Sequence, residues 1–283
     1  MPQTPVNRDD ARRRAATGLA ATALVTDVAQ RLAEAGIAVM PVKGALLQHW
    51  LYDDPSERPL TDVDLLVRPE DFDRAVAQLE TGGYRRALGS SIGAAVMETP
   101  FGLPLDLHPR LFDRARYRLP TRELFARSSE NHVLYGVSVR LPSALDVYAH
   151  LVGKFGSDHL DACATARLDE IARMGFRLRA SPETTARHLV HCGMRRVSLY
   201  VLPLVHRLTA DPFALQVCRR LPFDPVGRAL VAVADPVLAA ASPDSRKAAL
   251  MAHLLNESLP RGARSGLRAL LQRPQRGAKG ARP

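Results

Sequence analysis

The sequence predicts a domain of mixed α and β structure, α/β or α+β, followed by an α-helical domain. Two observations carry this. Strand-like and helix-like hydrophobic patterns alternate as far as Leu141, and after Pro142 the apolar residues recur almost wholly at three- and four-residue spacing. With 283 residues and 46% hydrophobic content, the chain is long enough for one large domain or two small ones. No internal repeat is visible.

The first half is expected to begin with a helix over Asp10–Ala35. Arg12, Arg13 and Arg14 before the small apolar stretch Ala15–Val25 imitate a secretion signal, but Val25, Val28, Leu32 and Ala35 continue at helical spacing into a strand starting at Ile37. The segment therefore reads as part of the fold. A strand over Ile37–Val42, a helix over Ala45–Tyr52, a loop through Pro55 and Pro59, a strand over Val63–Val67 and a helix over Pro69–Thr81 follow. Gly82 and Gly83 end that helix as a C-cap. Short strands are expected near Tyr84–Leu88, Ala94–Thr99, Leu103–His108 and Val133–Leu141, separated by Gly and Pro.

In the second half Ser143 and Ser181 are placed as N-caps. Helices are expected over Ala144–Phe155, Leu160–Met174, Pro182–Cys192, Ser198–Thr209 and Pro212–Leu221, with more up to about Ser258. This divides the chain into a catalytic domain over residues 1–142, a helical domain over 143–260 and a basic tail over 261–283.

Composition excludes several classes. The three cysteines, Cys163, Cys192 and Cys218, form no CxxC pair and no even-numbered framework, so they read as reduced thiols of a cytoplasmic protein. No charge-free apolar run is long enough to span a membrane. The net charge is +10, yet seven basic residues and no acidic one lie between Arg261 and Pro283, so the body is only mildly basic. Nucleic acid stays a possible partner through the arginine-rich tail but is not favoured: aromatic residues make up 5% of the chain and the excess charge lies mostly in the tail, so neither a stacking platform nor a broad basic stripe is evident. Neither a Ser-His-Asp arrangement nor a Walker-type phosphate loop is present. His188, His191 and Cys192 have helical spacing but no partner pair for structural zinc.

Three segments carry chemistry: Pro41-Val42-Lys43-Gly44-Ala45, Thr61-Asp62-Val63-Asp64-Leu65-Leu66-Val67 and Leu105-Asp106-Leu107-His108. Strand side chains alternate with period two, so Asp62 and Asp64 are expected on one face, with Val63 on the other. Two like charges on one face call for a cation, and hard ions such as Mg²⁺ take carboxylates, phosphates and water. Asp106 on another strand supplies a third carboxylate, enough for two ions about 3.5–4 Å apart.

Gly44 stands where a strand opens a helix, a position whose free N–H groups and dipole favour an anion. Lys43 precedes it, one of four lysines against thirty-five arginines, and a compact ammonium suits a phosphate oxygen. Arg58, on the proline-bounded loop before the carboxylates, either grips phosphate or pairs with a surface carboxylate. His108 shares a face with Asp106 and meets substrate, orients Asp106 or bonds within the sheet. His150, Lys154 and His159 lie on or just after a helix of the second half, where they serve either packing or closure over a nucleotide.

The ordered run Val42-Lys43-Gly44-Ala45-Leu46, Leu51-Tyr52-Asp53-Asp54-Pro55, Arg58-Pro59, Asp62-Val63-Asp64-Leu65-Leu66-Val67 and Gly83-Tyr84 resembles the uncharacterised nucleotidyltransferase family of the DNA polymerase β superfamily. Leu105-Asp106-Leu107-His108 is similar to that family's later strand, and Asp146 to His150 with the following helices to its C-terminal region, to about residue 210.

The resemblance implies an α+β fold: a polymerase β-like mixed sheet with flanking helices, followed by the helical domain. It also implies transfer of a nucleoside monophosphate from an NTP, with Mg²⁺ or Mn²⁺ held by Asp62, Asp64 and Asp106, and the triphosphate at Gly44. The superfamily usually has Gly-Ser or Gly-Gly at this turn. Here Ala45 follows Gly44, which leaves Lys43 or backbone amides to contact phosphate.

The leading expectation is transfer onto a hydroxyl or phosphate of a small molecule, sugar or peptide that the sequence does not identify. The alternative from another class is a nucleotide-binding or regulatory module that keeps this fold without turnover.

Overall fold

The computed structural model describes residues 8–87, 93–112, 116–157, 164–239 and 253–255. Its chain contacts form two compact units, one of residues 1–112 and 119–147, the other of 113–118 and 148–283.

The first unit opens with α1 (Arg8–Glu34), whose Ala21, Leu24, Val25, Val28 and Leu32 are buried at helical spacing. Gly36 ends it at φ +68°, and the Ile37 N–H bonds back to the Leu32 carbonyl at 2.8 Å. That bond commits Ile37 to the helix end, so β1 (Val39–Val42) starts two residues later than expected. Then come α2 (Lys43–Trp50), β2 (Val63–Val67), α3 (Phe72–Thr81), β3 (Arg85–Arg86), β4 (Ala95–Glu98) and β5 (Leu105–His108). Gly82 caps α3, as its position in the sequence implied.

Two elements escaped the sequence reading. A short helix α4 (Thr121–Arg127) follows Pro120, and the expected strand over Val133–Leu141 is a hairpin of β6 (Ser129–Asn131) and β7 (Val139–Leu141). Ser129-Glu130-Asn131 has no apolar alternation to announce a strand. The Asn131 side chain accepts from the N–H groups of Val133 and Leu134, and Gly136 sits at φ +70°, so the first part of the expected strand forms the turn and only Val139–Leu141 is strand.

The five-stranded sheet runs β1-β2-β5-β4-β3, with β2 and β5 parallel and the other neighbours antiparallel. It is the mixed sheet of an α+β fold. All five residues of β2 are buried. Val63, Leu65 and Val67 share one face and Asp64 and Leu66 the other. Each fully buried Val or Leu side chain contributes about 1.5–3 kcal/mol, so β2 is held firmly in its register. That register sets Val42, Asp64 and Asp106 side by side across three strands, and Leu66 beside His108.

Helix α5 (Ala144–Ser157) begins in the first unit, and its residues from Tyr148 on belong to the second. Ser143 caps it, receiving the Asp146 N–H at 3.2 Å. The second unit continues with α6 (Ala164–Arg177), α7 (Pro182–His191), α8 (Arg195–Thr209), α9 (Pro212–Arg220) and α10 (Pro225–Ala239). Ser181 caps α7 and Asp211 caps α9. Helix α8 packs on α6, α9 and α10. A Cβ added at Gly156 would meet Val197 Cγ2 at 2.1 Å, so the Val197 side chain of α8 packs directly on the α5 backbone at Gly156. Among the described residues no helix is long and apolar enough to cross a membrane. The tail over 261–283 and His159 lie outside the described residues.

Within the first unit Asp146 is 1% exposed and takes a two-pronged ion pair from Arg127, with N–O distances of 3.0 and 2.9 Å, and a hydrogen bond from Ser143 Oγ. Removing one partner of such a pair leaves a buried charge without its main compensation. Arg127→Met is expected to lower unfolding stability by about 3 kcal/mol, measured by chemical denaturation; a loss below 1 kcal/mol would mean that water reaches Asp146.

Candidate active site

The site grows from the β1–α2 turn. Val42 is extended and the next residue, Lys43, sits at φ +48°, in the left-handed region that a non-glycine residue occupies at a cost of about 1–2 kcal/mol. Gly44 follows as the second residue of α2. A Cβ there would lie 2.6 Å from Leu60 Cδ2 and 2.7 Å from Arg58 Nη1. The missing side chain lets the Arg58 guanidinium approach the backbone of this turn.

Arg58 is delivered there by a shaped loop. The Asp54 side chain accepts from the Ser56 N–H at 2.8 Å and caps a single 3₁₀ turn, Pro55–Glu57, directly before Arg58. Tyr135, from the hairpin turn, donates its hydroxyl to the Ala45 carbonyl at 2.7 Å, and the Tyr135 carbonyl accepts from Thr26 of α1. The first turn of α2 is thus tied to α1 through one buried tyrosine. Sequence reasoning missed Tyr135, which no local spacing marks.

The carboxylates lie on the neighbouring strands. Asp64 is 3% exposed, and its Oδ1 accepts both from Lys43 Nζ and from His108 Nε2, the latter at 2.8 Å. Asp106 is its register neighbour on β5. Ligand atoms of Asp64, Asp106 and His108 all lie within 4.8 Å of one another, close enough to hold one metal ion.

Asp62 is half-buried just before β2, accepts from Thr61 Oγ1 at 3.3 Å, and stands outside that group of three. The sequence placed Asp62, Asp64 and Asp106 together as ligands. The structure brings Asp64, Asp106 and His108 into one group, with Lys43 on Asp64 and Arg58 against Gly44. His108 bonds to Asp64 rather than to Asp106; its two-residue offset from Asp106 was the readable signal. His150 and Lys154 lie on α5 in the second unit.

Electrostatics separate the two paired carboxylates. Burial works to raise the Asp64 carboxyl, but the His108 hydrogen bond and the Lys43 charge outweigh it, and its pKa is lowered overall. Asp106 is pushed up, first by burial and then by the charge of Asp64, with Asp62 adding to the effect and His108 and Lys43 opposing it. A cation between them would relieve that repulsion. Two carboxylates and an imidazole suit a divalent ion of hard to borderline character.

This arrangement, a mixed sheet that sets carboxylates side by side next to a strand–glycine–helix turn, defines an α+β protein with a candidate metal site. The model of the uncharacterised nucleotidyltransferase family matches residues 6–210, well over half of the sequence, and the chain belongs to that family. No curated protein matches it. Among solved structures, an antigenic nucleotidyltransferase-like protein from Paracoccidioides brasiliensis is similar at 16% identity and a TM-score of 0.47, covering 72% of this chain and 94% of that one. A tRNA-processing enzyme in an apo form aligns at 13% identity and a TM-score of 0.30, covering 89% of this chain and 74% of that one.

The raised Asp106 carboxyl gives a signed prediction. A group whose folded pKa exceeds its unfolded value binds protons more tightly when folded, so its ionisation at neutral pH costs stability. In chelator at pH 7, Asp106→Asn is expected to melt above the wild type. The gap should close as pH falls through the folded pKa, where the wild type becomes protonated. Thermal melts across pH 4–7 check this, and an Asn variant that melts lower at pH 7 would contradict it.

Proposed function

We propose that the chain transfers a nucleoside monophosphate from an NTP to a hydroxyl or phosphate of a small molecule, sugar or peptide. The observation that carries the reading is the placement of Asp64 and Asp106 side by side on parallel strands with His108 within ligand distance. Family membership supplies the nucleotide as substrate class.

Asp64, Asp106 and His108 would hold Mg²⁺ or Mn²⁺, with Asp62 at the edge of the group. A bound divalent ion would neutralise charge on the phosphates and lower the pKa of an acceptor hydroxyl. The imidazole favours Mn²⁺ over Mg²⁺ as the tighter of the two.

The chain's own residues divide the remaining work. The backbone N–H groups at the start of α2, the Arg58 guanidinium beside Gly44, and Lys43 address the triphosphate. Asp106, with its raised carboxyl, is suited to accept the proton of the attacking hydroxyl at a carboxylate oxygen. The acceptor oxygen bonds to the α-phosphorus, the bond from the α-phosphorus to the bridging oxygen breaks, and pyrophosphate leaves toward Lys43 and Arg58. His108 fixes the Asp64 oxygen through its 2.8 Å hydrogen bond.

The same reading takes residues 1–142 as the catalytic domain, 143–260 as a helical domain and 261–283 as a tail. The three cysteines of the sequence, with no CxxC pair and no even-numbered framework, support a cytoplasmic location.

The test is pyrophosphate release with each NTP, Mg²⁺ or Mn²⁺ and a panel of acceptors, beside nucleotide affinity by calorimetry. Asp64→Asn and Asp62→Asn should weaken metal–nucleotide binding and abolish transfer. Asp106→Asn should keep most NTP affinity and lose turnover by about 10²-fold or more. Normal turnover in all three variants would end the nucleotidyltransferase reading, and nucleotide binding without release in the wild type would favour a non-catalytic module.

A further inference from the structure

We infer that Lys43 is an internal counter-ion: it holds Asp64 while no divalent cation is bound, and trades that carboxylate for a phosphate oxygen when a cation–triphosphate complex enters. The inference rests on the Asp64–Asp106–His108 group being the cation site.

Asp64 is almost fully buried, so its negative charge needs a positive partner at all times. In the structure the partner is the Lys43 ammonium on Oδ1, the same oxygen that His108 addresses. A divalent cation at this group and an ammonium on the same carboxylate oxygen repel strongly where water is scarce. Binding of the cation therefore requires Lys43 to leave.

The backbone shows that the Lys43 side chain, not its conformation, is what this position supplies. At φ +48° a glycine would sit without strain, whereas lysine bears it. A strained residue persists where its side chain is over-determined by what it contacts, here Asp64. The destination is adjacent. The next residue is Gly44, at the second position of an eight-residue helix, with the Arg58 guanidinium against it. A long, flexible side chain anchored beside this turn reaches an anion there by rotating, without movement of the strand.

One consequence is coupling. A cation alone, or a triphosphate alone, must break the Lys43–Asp64 pair and leave one member uncompensated. Together they give both members a new partner, so each should tighten the binding of the other.

The experiment uses the full chain stripped of metal, with Mn²⁺ binding followed by electron paramagnetic resonance, first with Mn²⁺ alone and then with the preformed Mn²⁺–tripolyphosphate complex. Lys43→Met keeps the stem and removes the charge; Lys43→Gly removes the charge and also relieves the backbone strain at φ +48°, which offsets part of the stability lost with the ion pair. Both variants should bind Mn²⁺ alone about tenfold or more tighter than the wild type and bind the complex more weakly. Opposite shifts of this kind do not arise from a residue that only supports the fold. Mn²⁺ affinity that is unchanged or weaker in both variants would overturn the inference. If the wild type transfers nucleotide while Mn²⁺ affinity fails to rise, the counter-ion idea falls alone; if the opposite shifts appear without any transfer, the counter-ion stands and the transferase reading fails.

Discussion

A nearly inaccessible carboxylate on a fully buried strand is the constraint around which the first unit is arranged. Asp64 has apolar neighbours along β2 on both sides in sequence, and its charge is tolerable only because Lys43 and His108 meet one of its oxygens. Both partners come from other elements, one from the turn after β1 and one from the end of β5. The sheet order is what allows this. With β2 between antiparallel β1 and parallel β5, the start of α2 and the C-terminal end of β5 both reach Asp64.

The elements around that carboxylate support each other. Tyr135 ties the first turn of α2 to α1 through Thr26, and the Asp54-capped turn brings Arg58 to Gly44. Each of these fixes a group on the side of the sheet where Asp64 and Asp106 face one another. Asp106 shows the cost: it is half-buried beside two other carboxylates, and burial first, then the charge of Asp64, raises its pKa. Unfavourable electrostatics kept in place by well-packed strands are a mark of functional sites.

Much of this was legible in the sequence, and the boundary is physical. Strand β2 and its Asp64 stood out because Val63-Asp64-Leu65-Leu66-Val67 alternates a charge into an apolar run, and period two fixes its face. The C-cap at Gly82 and the caps at Ser143 and Ser181 follow from local chemistry, and each is where it was expected. What depends on pairing between distant segments was not legible. No spacing within Lys43-Gly44 shows that the ammonium turns to Asp64, and nothing in Leu105-Asp106-Leu107-His108 shows that His108 reaches β2. Helix α4 was hidden because its two turns are too short to show a helical period, and strand β6 because Ser129-Glu130-Asn131 has no apolar alternation.

The central claim is that Asp64, Asp106 and His108 form one divalent-cation site. It is tested most directly by a crystal of the full chain soaked in Mn²⁺, with anomalous diffraction recorded at the manganese absorption edge. A single strong anomalous peak is expected within about 2.3 Å of carboxylate oxygens from Asp64 and Asp106 and a nitrogen of His108, with Lys43 Nζ moved away from Asp64. A peak elsewhere, or none at saturating Mn²⁺ with the Lys43–Asp64 pair intact, would contradict it.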